Sequence, residues 1–154
     1  MSPQLREVTT PQEVSVVRLF SPNKDHSVQS FVLTLLNTNC PGLQARLEGP
    51  RLEGRVNLTL VVMVVPAEGK KPMVRRAFAA VSKEFSSRGV ALVLDAPRGL
   101  DEAFLGFRRR GGVCWLRAKA KHLNPMGGGF YQLGFRLVEQ VPATDYPELD
   151  KLDF

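Results

Sequence analysis

The sequence from Val113 to His122 is VCWLRAKAKH, in which small or apolar side chains alternate with large or basic ones. Successive side chains of a β-strand point to opposite faces of a sheet. One face of such a strand would be apolar, formed by Cys114, Leu116, Ala118 and Ala120. The other would be basic and aromatic, formed by Trp115, Arg117, Lys119 and Lys121. The alternation predicts a strand whose basic face is open to solvent.

Further strands are predicted on both sides of this one. The most apolar segment is Val56 to Val65, VNLTLVVMVV, and its β-branched content favours a buried central strand. The other predicted strands are Glu13 to Phe20, Ser27 to Asn37, Gly89 to Leu94 and Phe130 to Val141. Most connections are too short for crossover helices, so we expect a mainly β fold with one helix, an antiparallel sandwich or barrel.

The predicted helix runs from Pro72 to Gly89, PMVRRAFAAVSKEFSSRG. Proline is favoured at the first turn of a helix and glycine just after its end. Helical spacing brings five apolar residues near one face: Met73, Ala77, Ala80, Val81 and Phe85. Residues 101–107, DEAFLGF, could form one more helical turn, and the glycines at 127–129 predict a hairpin turn or a flexible flap.

Composition predicts a single domain. Residues 13–141 would form it, with a flexible arm at 1–12 and an acidic, flexible tail at 142–154. The amino end has no apolar core of signal-peptide length, and no run approaches the roughly 18 apolar residues of a membrane span. We therefore expect a cytoplasmic protein.

The charge is basic and unevenly distributed. The formal net charge is +6, and the segment from Lys70 to Lys121 holds thirteen Lys and Arg against four Asp and Glu. Such a surplus attracts polyanions, either nucleic acid or an anionic membrane surface. It predicts a class of partner and does not choose between the two.

The predicted nucleic-acid site combines a basic turn with the basic strand face. Its residues are Arg108, Arg109, Arg110, Trp115, Arg117, Lys119 and Lys121. Cations spaced about 7 Å apart along one strand face can follow successive phosphates, and the indole offers a surface on which a base can stack. The alternative is structural, because a basic face is often only the solvated side of a sheet or an edge that lysines protect from aggregation.

An enzyme is the less favoured class. The chain has neither a GxSxG or HExxH motif nor a phosphate-binding P-loop, and Cys40 and Cys114 have no metal-site spacing, so we predict no metal and no cofactor. Whether the two cysteines pair is open. A small enzyme using Asp95 and His122 is an alternative, although an aspartate at the start of DAPRG is more often a turn cap.

The segment from Gly89 to Phe107, GVALVLDAPRGLDEAFLGF, resembles the central region of the plant-virus cell-to-cell movement proteins of the thirty-kilodalton superfamily. The motif residues would be Asp95 after the apolar strand, the basic Arg98, and Ala103 with Gly106. Two features depart from that pattern: Arg98 lies three positions after Asp95 instead of two, and a predicted helix precedes the motif strand. The resemblance implies a jelly-roll-like β core, binding of RNA or single-stranded nucleic acid without sequence specificity, self-association into a homo-oligomer, and action at plasmodesmata.

A second resemblance concerns residues 75–85, RRAFAAVSKEF. An alanine-rich helix beside a strand and a basic loop looks like parts of some matrix proteins of negative-strand viruses. This implies an alternative function, a viral matrix or coat protein that contacts an anionic membrane or a nucleoprotein.

Overall fold

The computed structural model describes residues 21–39 and 55–154, with the exception of 153. Over these ranges the protein is mainly β with one α-helix, which confirms the predicted fold class. The helix, α1, spans Ser21–Asn39. The strands are β1 Val56–Asn57, β2 Val61–Glu68, β3 Lys71–Pro72, β4 Phe78–Ser86, β5 Gly89–Leu94, β6 Glu102–Arg109, β7 Gly112–Gly127 and β8 Phe130–Val141. The predicted arm at 1–12, the predicted strand at 13–20 and Cys40 lie outside the described residues.

Six of the strands pair in a ring, and every pair is antiparallel. The order is β2, β4, β5, β8, β7, β6 and back to β2, so the sheet closes as a barrel. β4 makes the closure because its first half, from Phe78, pairs with β2, while its second half, as far as Ser86, pairs with β5. The short strands β1 and β3 extend the ring beside β4 and β2.

The interior of the barrel is filled from every strand of the ring and is covered by α1. The helix buries one face, formed by Val28, Phe31, Val32, Leu35 and Leu36, against the barrel core. The ring of Phe31 meets the ring of Phe107 from β6 edge-on, with 5.3 Å between the centroids. In the described part of the chain, no helix combines the length and the apolarity that crossing a bilayer requires.

A second apolar cluster lies on the outside of the barrel. It is formed by Met63 and Val65 of β2, Phe104 of β6, Trp115 of β7, and Leu149 of the C-terminal segment. That segment forms short 3-10 turns at Ala143–Asp145 and Pro147–Lys151. Leu149 is buried, and the ring centroid of Tyr146 lies 4.8 Å from that of Phe104. Instead of the flexible tail predicted at 142–154, this segment packs on the outer surface of the barrel.

The predicted helix at 72–89 is wrong. Half of it, Phe78–Ser86, is β4, in which Ala80 and Ser82 are buried while Ala79 and Val81 are exposed. The Ser82 hydroxyl accepts a hydrogen bond from the Leu60 N–H (2.8 Å) and donates one to the Leu58 carbonyl (2.5 Å), which ties β4 to the segment before β2. Strand pairing on both edges thus overrides a helical spacing that the alanines made plausible.

Two other local predictions are also wrong. The strand predicted at 27–37 is part of α1. The helical turn predicted at 101–107 belongs to β6. The strand predictions at 89–94 and 130–141 match β5 and β8, and the glycines at 127–129 are at the hairpin turn between β7 and β8, all three with positive φ.

Gly106 makes room for the indole of Trp115, which lies directly opposite it on β7. A Cβ at Gly106 would lie 2.8 Å from Cη2 and 2.8 Å from Cζ3 of that ring. The ring cannot shift freely because it is buried in the outer cluster. We therefore expect Gly106→Ala to lower the free energy of unfolding by about 1–3 kcal/mol through overpacking.

Urea unfolding followed by tryptophan fluorescence measures this loss. Gly99→Ala is the matched control, because a Cβ at Gly99 meets no atom within 4 Å. Its unfolding midpoint should stay close to that of the wild type. Equal midpoints for the two variants would contradict the steric role of Gly106.

Candidate functional site: a basic cleft

The face predicted to bind nucleic acid is divided in the structure. The alternation is confirmed, since Leu116 and Ala118 lie in the barrel core while Trp115 lies on the other face. The indole is only 2% exposed, so it is closed to a stacking base, contrary to the prediction of an open ring. Only Lys119 and Lys121 of this face are exposed.

Arg117 is held between two carboxylates. Its guanidinium lies 3.2 Å from Glu102 Oε1 and 2.8 Å from Glu139 Oε2, and its side chain is 17% exposed. Glu139 also pairs with Lys24 of α1 at 3.3 Å. Burial would raise the pKa of Glu139, but the hydrogen bond and charge of Arg117, with help from Lys24, outweigh it and lower that pKa. Arg117 is thus a structural ion-pair residue, unavailable to a polyanion in this arrangement.

The arginine turn lies at the far end of β7. Arg108, Arg109 and Arg110 are exposed and line a cleft of about 860 Å³. The guanidinium of Arg108 stacks on the ring of Phe154 and that of Arg109 on Phe31, at 5.0 and 5.4 Å from the ring centroids. Two of the three arginines predicted to bind phosphate therefore also pack against aromatic rings of the protein.

The three motif residues of the movement-protein resemblance do not form one site. Asp95 is exposed after β5, and it makes no ion pair with Arg98. Arg98 stacks on the ring of Phe78, with its Cζ 3.9 Å from the ring centroid. Gly106 packs under Trp115. Gly106 therefore has a steric role in packing that does not involve a ligand.

A further basic concave surface is a cleft of about 590 Å³ formed by the β4–β5 turn, the middle of β8 and the adjoining part of β7. We call it the basic cleft. Its cations are Arg55, Arg88, Lys121 and Arg136. Its other polar side chains are Ser86, Ser87, His122, Asn124 and Gln132. Glu84 is the one carboxylate among the described residues that line it.

Strand register assembles this cleft from distant parts of the chain. Gly89 pairs with Arg136 across β5 and β8, and His122 pairs with Gly134 across β7 and β8. A bulge between Ala120 and His122 changes the alternation there and lets successive side chains turn toward the cleft. Small residues along the floor leave the volume open.

All three cleft arginines form ion pairs, but these pairs do not neutralise the site. Arg88 and Arg136 share a single carboxylate, Asp25 of α1, at 2.5 and 4.0 Å. Arg55 pairs with Glu84 at 2.6 Å, and this hydrogen bond is the main cause of a lowered pKa at Glu84. Two carboxylates thus face four cations, so the cleft keeps a positive surplus.

Asp95 and His122, the two residues of the enzyme alternative, do not line one site in the structure. Asp95 follows β5 and His122 lies within β7, on the other side of β8. Two strand spacings and a register offset of about four residues separate their backbones by roughly 16 Å, and only His122 lines the basic cleft. Burial raises the pKa of Cys114, which makes its thiol a poor nucleophile at neutral pH. The described residues contain no group of three or more His, Cys, Asp or Glu side chains suited to a metal ion.

Sequence reasoning missed Arg55, Arg88 and Arg136. Each stands outside the basic strand, and they lie up to 81 positions apart in the chain. A weak signal was present: Arg88 precedes the glycine that opens a predicted strand, a turn position from which a side chain reaches solvent easily. Only the pairing of β5 with β8 shows that these arginines meet.

Comparison with known proteins found a likeness in structure but none in sequence. No protein-family model matches the chain, and no curated protein sequence matches it. Among solved structures, the inhibitor of motility MotI/DgrA from Bacillus subtilis aligns with a TM-score of 0.44 and 18% identity over 63% of this chain. The aligned part spans 46% of the MotI/DgrA chain. A likeness at this level says nothing about the ligand of this chain, and the resemblances to viral movement and matrix proteins stay predictions.

The Arg117–Glu139 pair leads to a pH-dependent prediction. A carboxylate whose pKa is lower in the folded than in the unfolded state stabilises the fold above its unfolded value and loses that effect as the pH falls. Glu139→Gln should therefore lower the free energy of unfolding by about 1–2 kcal/mol at pH 7. The difference from the wild type should shrink as the pH falls below about 4.

Urea unfolding at pH 7 and at pH 3 measures this difference. Glu68→Gln, at an exposed position at the end of β2, is the control and should match the wild type at both values. A deficit of Glu139→Gln that is the same at both pH values would show that packing, and not charge, causes it.

Proposed function

We propose that this protein is a non-catalytic binding module whose basic cleft holds a phosphorylated ligand of nucleotide size. The observation that carries the proposal is the convergence of four cations on one cleft of about 590 Å³. This volume lies within the range of small-molecule sites. A ligand with two or more negative charges would match the surplus left by Glu84 and Asp25.

The arginines are suited to the phosphate end of such a ligand. Guanidinium groups bind phosphate oxygens with paired, charge-assisted hydrogen bonds. Arg88 and Arg136 are already positioned side by side by Asp25, so a phosphate would meet oriented donors. The Ser86 and Ser87 hydroxyls of the β4–β5 turn, which also line the cleft, add further donors.

The opposite part of the cleft is suited to a heterocyclic base. Asn124 and Gln132 pair across β7 and β8, and His122 lies two positions before Asn124. Side-chain amides carry both donors and acceptors, as the edges of bases do, and an imidazole can stack on a base. These neutral groups support a nucleotide over inorganic phosphate as the ligand.

A second candidate is single-stranded nucleic acid, bound without sequence specificity. The observation that favours it is the row of exposed cations leading out of the cleft, in which Lys119 of β7 pairs with Arg136 of β8. The arginine turn lies roughly 23 Å from Lys119 along β7. A strand of several nucleotides could reach from the cleft to that turn, whereas a single nucleotide could not.

Isothermal titration with adenosine and guanosine 5′-diphosphates tests the first candidate. We expect binding at low salt that weakens about tenfold or more in Arg88→Gln and in Arg136→Gln, since each loses a charge-assisted hydrogen bond. Arg75→Gln removes an exposed arginine outside the cleft and should bind as the wild type does. Nucleosides without phosphate should bind much more weakly. Failure of both diphosphates to bind the folded wild type at low salt would contradict the proposal.

A fluorescent oligothymidylate separates the two candidates. If single-stranded nucleic acid is the ligand, its affinity should fall steeply with salt. Lys119→Glu and Arg110→Glu should then weaken it and reduce the salt slope, while diphosphate binding stays unchanged in Arg110→Glu, because Arg110 lies at the arginine turn and does not line the basic cleft. Oligonucleotide binding that is insensitive to both charge reversals would exclude an extended path along β7.

A further inference from the structure

A second cavity lies at the opposite end of the barrel, where β2 ends, β4 begins and the chain enters β6. Its volume is about 320 Å³. The described residues that line it are Pro66, Arg76, Phe78, Arg98, Gly99 and Leu100. Two of them are arginines and none is acidic, and the cavity shares no lining residue with the basic cleft.

Arg98 is fixed in this cavity by two contacts. Its guanidinium stacks on the ring of Phe78, with the Cζ atom 3.9 Å from the ring centroid. Its carbonyl accepts a hydrogen bond from the Leu100 N–H at 3.1 Å, which tightens the turn around Gly99. The side chain is therefore oriented before any ligand arrives, and the entropy cost of ordering it is already met by the fold.

The Nε–H of Arg98 is buried and has no hydrogen-bond acceptor among the described residues. A buried donor without an acceptor costs about 1–3 kcal/mol, and nearly all such donors in proteins find a partner. Stacking on Phe78 satisfies the face of the guanidinium and leaves its Nε–H unpaired among the described residues. The geometry thus calls for an acceptor in the plane of the guanidinium.

We propose that this cavity binds the phosphate group of a small phosphomonoester. Arg98 would supply Nε–H and a neighbouring N–H to two phosphate oxygens, and Arg76, at the rim, would supply a second positive charge. Two guanidinium groups match the double charge of a phosphomonoester better than the single charge of a carboxylate. Pro66, Phe78 and Leu100 form apolar walls for the organic part of the ligand.

Isothermal titration with phenyl phosphate, inorganic phosphate and benzoate tests the assignment on the full chain. Phenyl phosphate should bind more tightly than inorganic phosphate, because only it can use the apolar walls, and benzoate should bind more weakly than phenyl phosphate. Arg98→Gln and Arg76→Gln should each weaken phenyl phosphate binding about tenfold. Arg75→Gln keeps the neighbouring sequence and should leave binding unchanged.

Further variants separate the cavity from the basic cleft and from folding defects. Arg88→Gln weakens any binding in the basic cleft, so the phenyl phosphate binding that remains in this variant and is lost when Arg98→Gln is added belongs to the cavity at Arg98. Arg98→Lys keeps the charge but lacks the planar pair of donors, and it should weaken binding while the thermal unfolding midpoint stays close to that of the wild type. If Arg98→Gln fails to fold, Arg76→Gln at its exposed position still decides the question.

Three results would overturn the assignment. Wild-type affinity in both Arg76→Gln and Arg98→Lys would remove the arginines from the site. A loss confined to Arg88→Gln would place the ligand in the basic cleft. Benzoate or inorganic phosphate binding as tightly as phenyl phosphate would contradict a phosphomonoester site with apolar walls.

Discussion

β2 pairs with β4 along one edge and with β6 along the other, so its backbone forms hydrogen bonds on both edges. The side chains on its two faces then remain to be buried. Val62 and Val64 point into the barrel, where α1 completes the core, whereas Met63 and Val65 point outward. An apolar outer face of this kind is costly in water. The closure of the ring therefore requires two covers, the helix over the interior and the C-terminal segment over the outside.

The C-terminal segment covers Trp115, and this explains why the sequence predicts the strand at 113–122 correctly but predicts the exposure of Trp115 wrongly. The alternation in residues 113–122 predicts both the strand and the two faces on which its residues lie, because the period of two is a local property of the chain. Whether Trp115 is open depends on Leu149 and Tyr146, which come from a segment whose prolines and acidic residues suggested a loose tail. No local pattern shows that such a segment returns to the barrel.

The exchange of helix and strand has a similar cause. Residues 28, 31, 32, 35 and 36 follow the spacing of one helical face, and Ser21–Pro22 is a typical helix start, yet β-branched side chains nearby favoured a strand. In β4 the small side chains of Ala79 and Ala80 fit either structure, and the bulge between Ser82 and Glu84 interrupts the alternation that would have marked a strand. The predicted fold class is nevertheless correct. The segment predicted as a helix contains the strand β4, and the segment predicted as a strand lies in α1, so the chain is still mainly β with one helix.

Charge counting located the basic part of the chain but not the basic surface. Arg117 belongs to the predicted site by sequence, yet two carboxylates, Glu102 and Glu139, neutralise it. Arg88 and Arg136 share one carboxylate between them. The number of carboxylates per arginine decides which cations remain to attract an anion, and strand register sets that number.

The same reasoning explains why the cleft, and not the strand face, is the better anion site. A phosphate that approaches Arg117 must displace two carboxylates, Glu102 and Glu139, and the fold lowers the pKa of Glu139, which favours its anionic form. A phosphate that approaches Arg88 and Arg136 competes with Asp25 alone, and both guanidinium groups have donors left over. An additional anion in the cleft would therefore bind guanidinium donors that Asp25 leaves free. On the strand face it would only replace the carboxylates that already pair with Arg117.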